Sequence, residues 1–542
     1  MLRPAFLLAL AAAGCAPSPA ARSDTAGGAD AAGADVPLDS GVPALVVFIT
    51  IDQFRADYLD RYGDQLTGGL RRLERGGALF VNATHDHANT ETAPGHASVM
   101  SGRFPASTGI LTNESGVEDD YAPLLESDQP GASPYRFRGS TLFDWMRLAD
   151  PGARALSVSR KDRGAILPVG RSPEEVYWYG YNGKFVTSRY YHDALPGWVR
   201  RFNARRSFHA LVGRAWTPLL EPGAYPEADN VPQENQGRGV TFPHRVPRSE
   251  SAALPALTQF PWMDSLTLAF ALDGVSALRL GAAGHTDLLA VSLSTSDAVG
   301  HAFGPDSREV HDQHLRLDRW LGAFLDSLYR LRDSSRVVIA LTSDHGVAPI
   351  PELHTLRTGD PAGVVQMDTI VWRLQARMAA RGVPATALRL EDWMLFVDRR
   401  AFAGAPALAD SLVADFAAAA RRLPGVARVE TPAEIARRDT VSDAVARRWL
   451  HMFAPDAPIA LAVTLAPYRV RGKRGNGQHG SPYDYDARVP VLFYGPPFTT
   501  GRFASPARVV DMAPTLARAL GVRPTERLDG RPLDEALREE RP

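Results

Sequence analysis

Cysteine is nearly absent from this chain of 542 residues, which has a single one, Cys15. One cysteine cannot form an intramolecular disulfide bond, so a disulfide-stabilised fold is excluded and core packing and bound metals must supply the stability. Net charge is also nearly absent, at −1, and a chain without a strong basic field is not expected to bind nucleic acid. With 45% hydrophobic and 22% charged residues, the composition is that of a globular protein.

Long hydrophobic runs are missing as well. The apolar stretch from Pro4 to Ala13 is too short to span a bilayer. It follows a short basic start and ends in Ala12-Ala13-Gly14-Cys15, which resembles a bacterial lipoprotein signal although Leu is more usual at the position of Ala12. We therefore expect an exported protein of the periplasm or cell envelope, in contact with a membrane only through a lipid on Cys15. The alternative is an ordinary cleaved signal peptide.

Several buried strands and amphipathic helices alternate along the chain. Continuous apolar, β-branched runs predict strands buried on both faces, as in a parallel sheet. The strand candidates are 44–51, 153–159, 287–294 and 336–342, and the helix candidates include 261–280, 310–332 and a closing helix over 504–520. This order predicts an α/β fold with a mostly parallel central sheet sandwiched by helices.

The segments between these elements suggest an interrupted core. After a signal peptide over 1–15, residues 16–43 are rich in Ala, Gly, Ser and Pro and predict a flexible tether. We expect the core in three parts, separated by an insertion of surface loops and short strands and by an α+β cap. The core parts are 44–169, 256–349 and 469–542, and the two inserted segments are 170–255 and 350–468.

Side chains with metal-binding chemistry follow three of the predicted strands. They are Asp52, Asp297 with His301, and Asp344 with His345, while His479 lies in a later Gly-rich basic loop. Open α/β sheets bind ligands just beyond the carboxyl ends of their strands. Each residue alone is more typical of a cap, a turn or a loop. Together they match what a two-metal site needs, and carboxylate oxygen with imidazole nitrogen suits Zn²⁺.

Thr92 stands at a predicted helix start. It precedes Pro94 and Gly95, and Pro is well tolerated near a first helical position. Free N–H groups at such an end favour an anion, so the hydroxyl could act as a nucleophile or contact a phosphate. Taken alone, Thr92 is more typical of an N-cap. The distant carboxylates and histidines favour the nucleophile.

The order of these motifs resembles the alkaline phosphatase superfamily. The matching pattern is Asp52, Thr92-x-Pro94-Gly95-His96, Asp297-x-x-x-His301, Asp344-His345-Gly346 and His479. The most similar branch is the phosphate-irrepressible alkaline phosphatases with a Thr nucleophile, and the resemblance covers about residues 44–525. It implies an alkaline phosphatase-like fold with inserted cap segments.

The resemblance also implies two Zn²⁺ per chain and a phospho-threonine intermediate on Thr92. It places one zinc on Asp297, His301 and His479, and the other on Asp52, Asp344 and His345, with Thr92 completing that second site. No counterpart is evident for the third, magnesium site of some alkaline phosphatases. His96 belongs to the motif, and no catalytic role is assigned to it.

Three further residues resemble the phosphate-binding groups of that branch, namely Lys161, Arg163 and Asn113. Two Zn²⁺ balance three Asp and a Thr alkoxide, which leaves a neutral centre. A phosphate monoester brings about two more negative charges near neutral pH, which Lys161 and Arg163 can meet. A diester brings one charge and needs this pair less. The expected activity is therefore hydrolysis of small-molecule phosphate monoesters to inorganic phosphate.

Two alternatives stay open. One is a phosphodiesterase or nucleotide pyrophosphatase on the same fold, and the other is a non-catalytic binding lipoprotein with a decayed site. Against the second, neither the six expected protein ligands nor the nucleophile is missing. A sulfatase is disfavoured because those enzymes carry Cys or Ser at the position of Thr92, and the mutases of the superfamily use Ser.

Overall fold

The computed structural model describes residues 42–282 and 284–539. The predicted signal peptide, Cys15 and nearly all of the predicted tether lie outside the described residues. Within the two described ranges, no helix has the length and apolar character needed to cross a membrane.

Most of the strands are short and lie in five sheets. In chain order they are β1 Leu45–Ile51, β2 Ala78–Phe80, β3 Ala83–Thr84, β4 Ala155–Ser159, β5 Glu175–Tyr179, β6 Phe185–Val186, β7 Ala215–Trp216, β8 His244–Arg245, β9 Asp287–Leu293, β10 Val337–Thr342, β11 Gly363–Val364, β12 Leu388–Glu391, β13 Met394–Val397, β14 Val426–Glu430, β15 Ile459–Leu465, β16 Arg469–Val470, β17 Val491–Tyr494, β18 Gly501–Phe503 and β19 Ala507–Arg508.

The α-helices range from single turns to one of 24 residues. They are α1 Tyr58–Arg61, α2 Gly69–Gly76, α3 Thr92–Ser101, α4 Pro105–Thr108, α5 Leu142–Ala149, α6 Asp162–Ile166, α7 Gly197–Ala204, α8 Glu250–Ala256, α9 Trp262–Ala277, α10 Thr295–Phe303, α11 Arg308–Leu331, α12 Pro351–Thr358, α13 Asp368–Ala379, α14 Pro406–Ala420, α15 Pro432–Ile435, α16 Ala444–Leu450, α17 Asp484–Ala487 and α18 Met512–Leu520.

The central sheet has nine strands in the order β18-β2-β17-β10-β1-β9-β4-β5-β6. β1 lies near its middle and pairs in parallel with β10 on one side and β9 on the other. The parallel ladder continues from β9 to β4 and β5, whereas β17 and β6 run antiparallel to their neighbours. This confirms the predicted α/β fold with a mostly parallel sheet, and it brings the ends of β9, β1 and β10 side by side.

Apolar side chains of β1 feed a core on each face of the central sheet. Val47, Ile49 and Ile51 belong to one hydrophobic cluster, with residues of α2, α9 and α11. Val46 and Phe48 point the other way, into a second cluster with residues of α3, α5 and α18. Alternation along a strand sends neighbours to opposite faces, so an unbroken apolar run buries both. Helices therefore cover the sheet on both sides.

A second, antiparallel sheet lies in the 350–468 segment, with strand order β12-β13-β15-β14. Its inward residues form a separate hydrophobic cluster with α13 and α14, for example Phe396, Leu412 and Phe416. Ala88 and Leu111, from the loops around α3 and α4, join the same cluster. The α+β segment therefore packs its own core and also contacts the loops that flank Thr92.

Two features differ from the expectations. Glu175–Tyr179, inside the segment predicted as an insertion of surface loops and short strands, pairs in parallel with β4 in the central sheet. This strand is aromatic rather than aliphatic, and only its contacts with α7 and α9, such as Tyr177 against Trp198 and Phe270, show that it is core. The closing helix begins at Met512 rather than 504, because 507–508 pair with β3.

Glu234, also in this segment, is buried without a full set of partners. The side chain is 1% exposed, and Oε2 accepts no hydrogen bond within the described residues. Burial, with the nearby charge of Glu309, raises the pKa of Glu234 from 4.5 to about 9. Between these pH values the folded state holds a proton that the unfolded state has released, so stability falls as pH rises from 4.5 to 9.

Glu234→Gln should remove this pH dependence. Glutamine keeps the shape and cannot ionise, so we expect a free energy of unfolding higher by about 2 kcal/mol at pH 8 and little change at pH 4.5. The measurement is the melting temperature across that pH range for both proteins. Exposed Glu118→Gln is the matched control and should follow the wild type. Parallel curves for wild type and Glu234→Gln would contradict the buried-proton account.

Candidate active site

The ends of three adjacent parallel strands carry the predicted metal ligands. Asp52 follows β1 directly, and Asp344 and His345 follow β10 after one intervening residue. β9 leads into α10, whose first turn carries Asp297, with His301 one turn later on the same face. Because β1 lies between β9 and β10, the parallel register brings all five residues to the carboxyl edge of the sheet.

These side chains form two groups with the composition predicted from the sequence. Asp297, His301 and His479 make one group, and Asp52, Asp344 and His345 make the other. Within each group the nearest ligand atoms all lie within 4.8 Å of one another. His479 reaches its group from the loop before α17. The loop is fixed by hydrogen bonds to α10, including Gly477 N to the carbonyl of His301.

The imidazoles of His301, His345 and His479 each contact a backbone carbonyl group through Nδ1. Nδ1 of His301 lies 2.8 Å from the carbonyl oxygen of Gly477, Nδ1 of His345 lies 2.9 Å from that of Gly346, and Nδ1 of His479 lies 2.9 Å from that of Thr90. A carbonyl only accepts, so each Nδ1 carries the hydrogen and leaves Nε2 with a free lone pair. Such backbone contacts orient the histidine ligands of metal sites.

The free lone pairs face carboxylate oxygens. His345 Nε2 and Asp52 Oδ1 lie 3.4 Å apart, both are buried, and neither has a hydrogen-bond partner among the described residues. His301 Nε2 and His479 Nε2 lie 3.2 and 3.7 Å from Asp297 Oδ1. Opposed lone pairs repel unless a cation lies between them. Both groups, with nitrogen and carboxylate oxygen donors, therefore fit a Zn²⁺-type metal.

In the protein alone, the pKa values of these ligands are shifted in different directions. Burial opposes ionisation of Asp297, yet Lys161 and His301 lower its pKa well below the ordinary value. The same holds for Asp344, where His345, His96 and Lys161 outweigh burial and lower the pKa. Burial and the neighbouring imidazoles lower the pKa of His479, which stays neutral. In the opposite direction, burial and the charges of Asp297 and Asp344 raise the pKa of Asp52, and against the effect of burial Asp297 raises the pKa of His301. A cation between these groups would favour ionised Asp and neutral His, which are the forms that bind metals.

Thr92 is the first residue of α3 and is 1% exposed. The N-cap is Glu91, so the simple N-cap interpretation of Thr92 is wrong and its hydroxyl is free for other contacts. Lys161 Nζ donates to Thr92 Oγ1 at 3.0 Å. The same ammonium lies 2.7 Å from Asp52 Oδ2 and 2.8 Å from Asp297 Oδ2. Lys161 therefore connects the Thr92 hydroxyl to one carboxylate of each group.

Asn113 and Arg163, the other two predicted phosphate-binding residues, lie near Thr92 and Lys161. Asn113 Oδ1 accepts a hydrogen bond of 2.9 Å from Ala93 N, beside Thr92, and its Nδ2 makes no hydrogen bond within the described residues. Arg163 lies in the first turn of α6, two residues after Lys161. Asn113 and Arg163 line one cavity of about 290 Å³. The structure thus brings all ten predicted site residues to one edge of the sheet.

The sequence profile of the type I phosphodiesterase / nucleotide pyrophosphatase family matches residues 46–397, more than half of the chain. The chain belongs to this family. The matched segment contains Asp52, Thr92, Asp297, His301 and the Asp344-His345 pair, and His479 lies beyond it.

Two relatives that match this chain over most of their length are alkaline phosphatases. The chain is 32% identical over 524 residues to alkaline phosphatase PhoK of Sphingomonas sp, covering 91% of both proteins. It is 29% identical over 522 residues to alkaline phosphatase PafA of Elizabethkingia meningoseptica, covering 91% of this chain and 94% of that protein. The crystal structure of wild-type PafA superposes with a TM-score of 0.81 at 27% identity, covering 93% and 99% of the two chains. The predicted resemblance to phosphate-irrepressible alkaline phosphatases is confirmed.

The sequence analysis did not identify Gln53, whose hydrogen bonds connect the two carboxylate–imidazole groups. Its backbone N donates to Asp344 Oδ1 at 3.1 Å, and its Nε2 donates to Asp297 Oδ1 at 3.0 Å. Gln53 has a φ of 63°, a strained value for a non-glycine residue that clusters at functional sites. Its place directly after Asp52 at a strand end was the only available signal.

His96 and Arg160 also touch the ligands. His96 Nδ1 lies 3.2 Å from Asp344 Oδ2, and its Nε2 lies 2.9 Å from Ser292 Oγ. Arg160 lies 3.7 Å from Asp297 Oδ2 and donates to the carbonyl of Ser294. His96 Nδ1 also lies 2.9 Å from the Thr92 carbonyl oxygen, so His96 lies against both the Thr92 backbone and a predicted ligand.

Gly95 packs α3 directly against Asp344. A Cβ at this position would lie 2.8 Å from Asp344 Cβ and closer still to the Asp344 carbonyl oxygen. Backbone atoms cannot give way, so we expect Gly95→Ala to lower the free energy of unfolding by on the order of 3 kcal/mol. It should also reduce metal content, since Asp344 would move. Thermal denaturation and metal analysis measure the two effects.

The control for this prediction is Gly404→Ala, because no heavy atom lies within 4 Å of a Cβ there. It should leave both quantities unchanged. Wild-type stability and metal content in Gly95→Ala would show that the helix can shift away from Asp344.

Proposed function

We propose that this protein is an exported, zinc-dependent alkaline phosphatase that hydrolyses small-molecule phosphate monoesters through a phospho-threonine intermediate on Thr92. The chain is a phosphoric monoester hydrolase of its family, as the named alkaline phosphatases among its full-length relatives support. The observation that carries the proposal is that the Lys161 ammonium contacts Thr92 Oγ1 together with one carboxylate of each of the two carboxylate–imidazole groups.

The proposed cofactor is two Zn²⁺ per chain. Asp297, His301 and His479 would hold one, and Asp52, Asp344 and His345 the other, with Thr92 as a further ligand. Zinc bound there would act as a Lewis acid that favours the Thr92 alkoxide, the leaving alkoxide and an attacking hydroxide.

Thr92 supplies the nucleophile. Its Oγ1 attacks phosphorus, the bond from phosphorus to the ester oxygen breaks, and the alcohol leaves with a proton. Water then attacks phospho-Thr92, releases inorganic phosphate and restores the hydroxyl. Lys161 Nζ, 3.0 Å from Oγ1, stabilises negative charge on that oxygen. The tight packing around the 1%-exposed Thr92 side chain keeps Oγ1 in one position.

Lys161, Arg163 and Asn113 would bind the phosphoryl oxygens. Arg163 offers a planar fork and Lys161 a point charge, and Asn113 has its Nδ2 free to donate while its Oδ1 is fixed by Ala93 N. A monoester places two negative charges here and a diester one, so the paired cations favour the monoester.

We also propose that the protein is lipid-anchored at Cys15 in the periplasm or cell envelope. The support is the sequence alone, from the short basic start and the apolar run to the lipoprotein-like end at Cys15.

The deciding experiment compares kcat/KM for an aryl phosphate monoester and the matching diester with zinc-loaded protein. We expect a strong monoester preference in the wild type. In Arg163→Ala, monoester kcat/KM should fall by roughly 10²-fold while the diester rate changes little, because a charge-assisted contact is lost. The exposed Arg171→Ala serves as control.

The family itself suggests the second candidate, a phosphodiesterase or nucleotide pyrophosphatase. A diester preference in the wild type, or an unchanged monoester preference in Arg163→Ala, would favour it with the same nucleophile and metals.

A further inference from the structure

Asp486 is a buried carboxylate that no step of the proposed mechanism uses. It lies in α17 and is 1% exposed. Its Oδ2 accepts two hydrogen bonds from one residue, from Ser481 N at 2.9 Å and from Ser481 Oγ at 2.6 Å. Burying a carboxylate is costly unless strong contacts offset the lost hydration. The two bonds to Ser481 therefore indicate where this side chain acts.

Ser481 belongs to the loop that carries the predicted ligand His479. Gly480 separates the two residues and has a φ of 100°, a left-handed value that favours glycine and allows a tight turn. Beyond this turn, the Ser481 carbonyl accepts a hydrogen bond of 2.9 Å from Thr90 Oγ1. Before it, His479 Nδ1 donates to the Thr90 carbonyl at 2.9 Å. The loop therefore contacts Thr90 through both its hydroxyl and its carbonyl group.

Thr90 connects this loop to the nucleophile. It is fully buried and lies two residues before Thr92. Its carbonyl fixes the hydrogen of His479 on Nδ1, and Nε2 is left to face Asp297. A displacement of Ser481 would therefore affect a predicted metal ligand and the chain that leads into α3.

The backbone of Asp486 contacts the other carboxylate–imidazole group. Its carbonyl oxygen accepts a hydrogen bond of 2.6 Å from Gly346 N, and the Gly346 carbonyl accepts one of 2.9 Å from His345 Nδ1. The two segments pack closely, since a Cβ at Gly346 would lie 2.5 Å from the Tyr485 carbonyl oxygen. Asp486 therefore lies behind one histidine of each group, and only its side chain acts toward His479.

We infer that Asp486 is a positioning residue, whose carboxylate orients His479 toward its metal through Ser481 and Thr90. The inference rests on the proposed zinc function. Within the described residues, Asp486 forms no hydrogen bond or ion pair with Thr92 or with a predicted ligand, so its action is indirect. Without the carboxylate, the N–H and hydroxyl of Ser481 would lose their acceptor and the turn at Gly480 could rearrange. Residues that support a histidine ligand in this way typically change metal affinity 10- to 100-fold.

The test measures the zinc held by full-length protein that is dialysed against chelator-buffered zinc. The wild type should hold about two Zn²⁺ per chain, and Asp486→Ala should need at least about tenfold more free zinc to retain one of them. Asp486→Asn keeps an oxygen that can accept both bonds from Ser481, so it should restore the wild-type affinity. Thr90→Val removes only the hydroxyl that donates to Ser481 and should weaken binding of the same zinc. It leaves Asp486 in place and so tests the same contacts even where Asp486→Ala does not fold.

A double-mutant cycle separates positioning from a general loss of stability. The double variant Asp486→Ala, Thr90→Val should bind zinc no more weakly than the weaker single variant, because both changes break one chain of contacts. Asp484→Ala, at the exposed start of α17, is the control and should bind as the wild type does. Unchanged zinc affinity in Asp486→Ala and Thr90→Val, equal weakening of both zincs, or additive effects in the double variant would each overturn the inference. A wild-type protein that binds no zinc would overturn the proposed function as well.

Discussion

Replacing Thr92 by alanine is expected to lower kcat on a phosphate monoester by at least about 10⁴-fold while both metals stay bound. The Thr92 hydroxyl contacts Lys161 Nζ, which also contacts one carboxylate of each carboxylate–imidazole group. The side chain is buried at the first position of α3, and alanine is compatible with that position. The loss should therefore be chemical rather than structural.

The measurements are steady-state turnover, metal content and melting temperature on the same preparation. Thr92→Ser should retain part of the activity because it keeps a hydroxyl at the same place. Ser98→Ala is the control on the same helix, since its hydroxyl is committed to the carbonyl of Pro94 at 2.8 Å. Normal turnover by Thr92→Ala would indicate that water is the nucleophile and would contradict the phospho-threonine proposal.

Asp297→Asn is expected to remove about one metal per chain and to lower kcat/KM by roughly 10³-fold. This carboxylate is contacted by His301 and His479 through Oδ1 and by Lys161 through Oδ2. The amide has the same shape but no charge, and its NH₂ group cannot ligate a metal. Metal analysis by mass spectrometry measures the first effect and aryl phosphate hydrolysis the second.

The control is Asp306→Asn, a partly exposed carboxylate just beyond α10 that pairs with Arg61 and Arg357. It should keep the wild-type metal content and activity. Full metal occupancy in Asp297→Asn would mean that Asp297 serves the site only through Gln53 and Lys161, and the proposed ligand set would have to change.

The sequence predicted the core of the fold because burial on both faces leaves a clear signature. The runs that became β1 and β10 are apolar and largely β-branched, and that of β9 consists mostly of Leu, Ala and Val. Such runs are typical of central strands of a parallel sheet. β5 was not predicted as a strand of the central sheet, because its sequence Glu175-Val-Tyr-Trp-Tyr179 is typical of a surface strand in an aromatic-rich loop region. Its burial depends on α7 and α9, which are distant in the chain.

The site was predicted to a similar extent and for a related reason. The position of a residue that closely follows a core strand is set by that strand. The sequence therefore predicted that Asp52, Asp344 and His345 lie at the carboxyl edge of the sheet. The role of Gln53 could not be predicted, since it depends on a positive φ and on the approach of α10.

The sequence alone determined which chemistry the chain carries: the order of ligands, the threonine before Pro94-Gly95, and the paired cations Lys161 and Arg163. The individual motifs are local, because each consists of residues at close spacing in one segment, and their order is a property of the sequence. Only the tertiary structure decided how they meet. The parallel register sets β1 between β9 and β10, and one backbone carbonyl per imidazole turns His301, His345 and His479 toward the carboxylates. These relations are contacts between distant segments, and packing rather than local propensity sets their geometry.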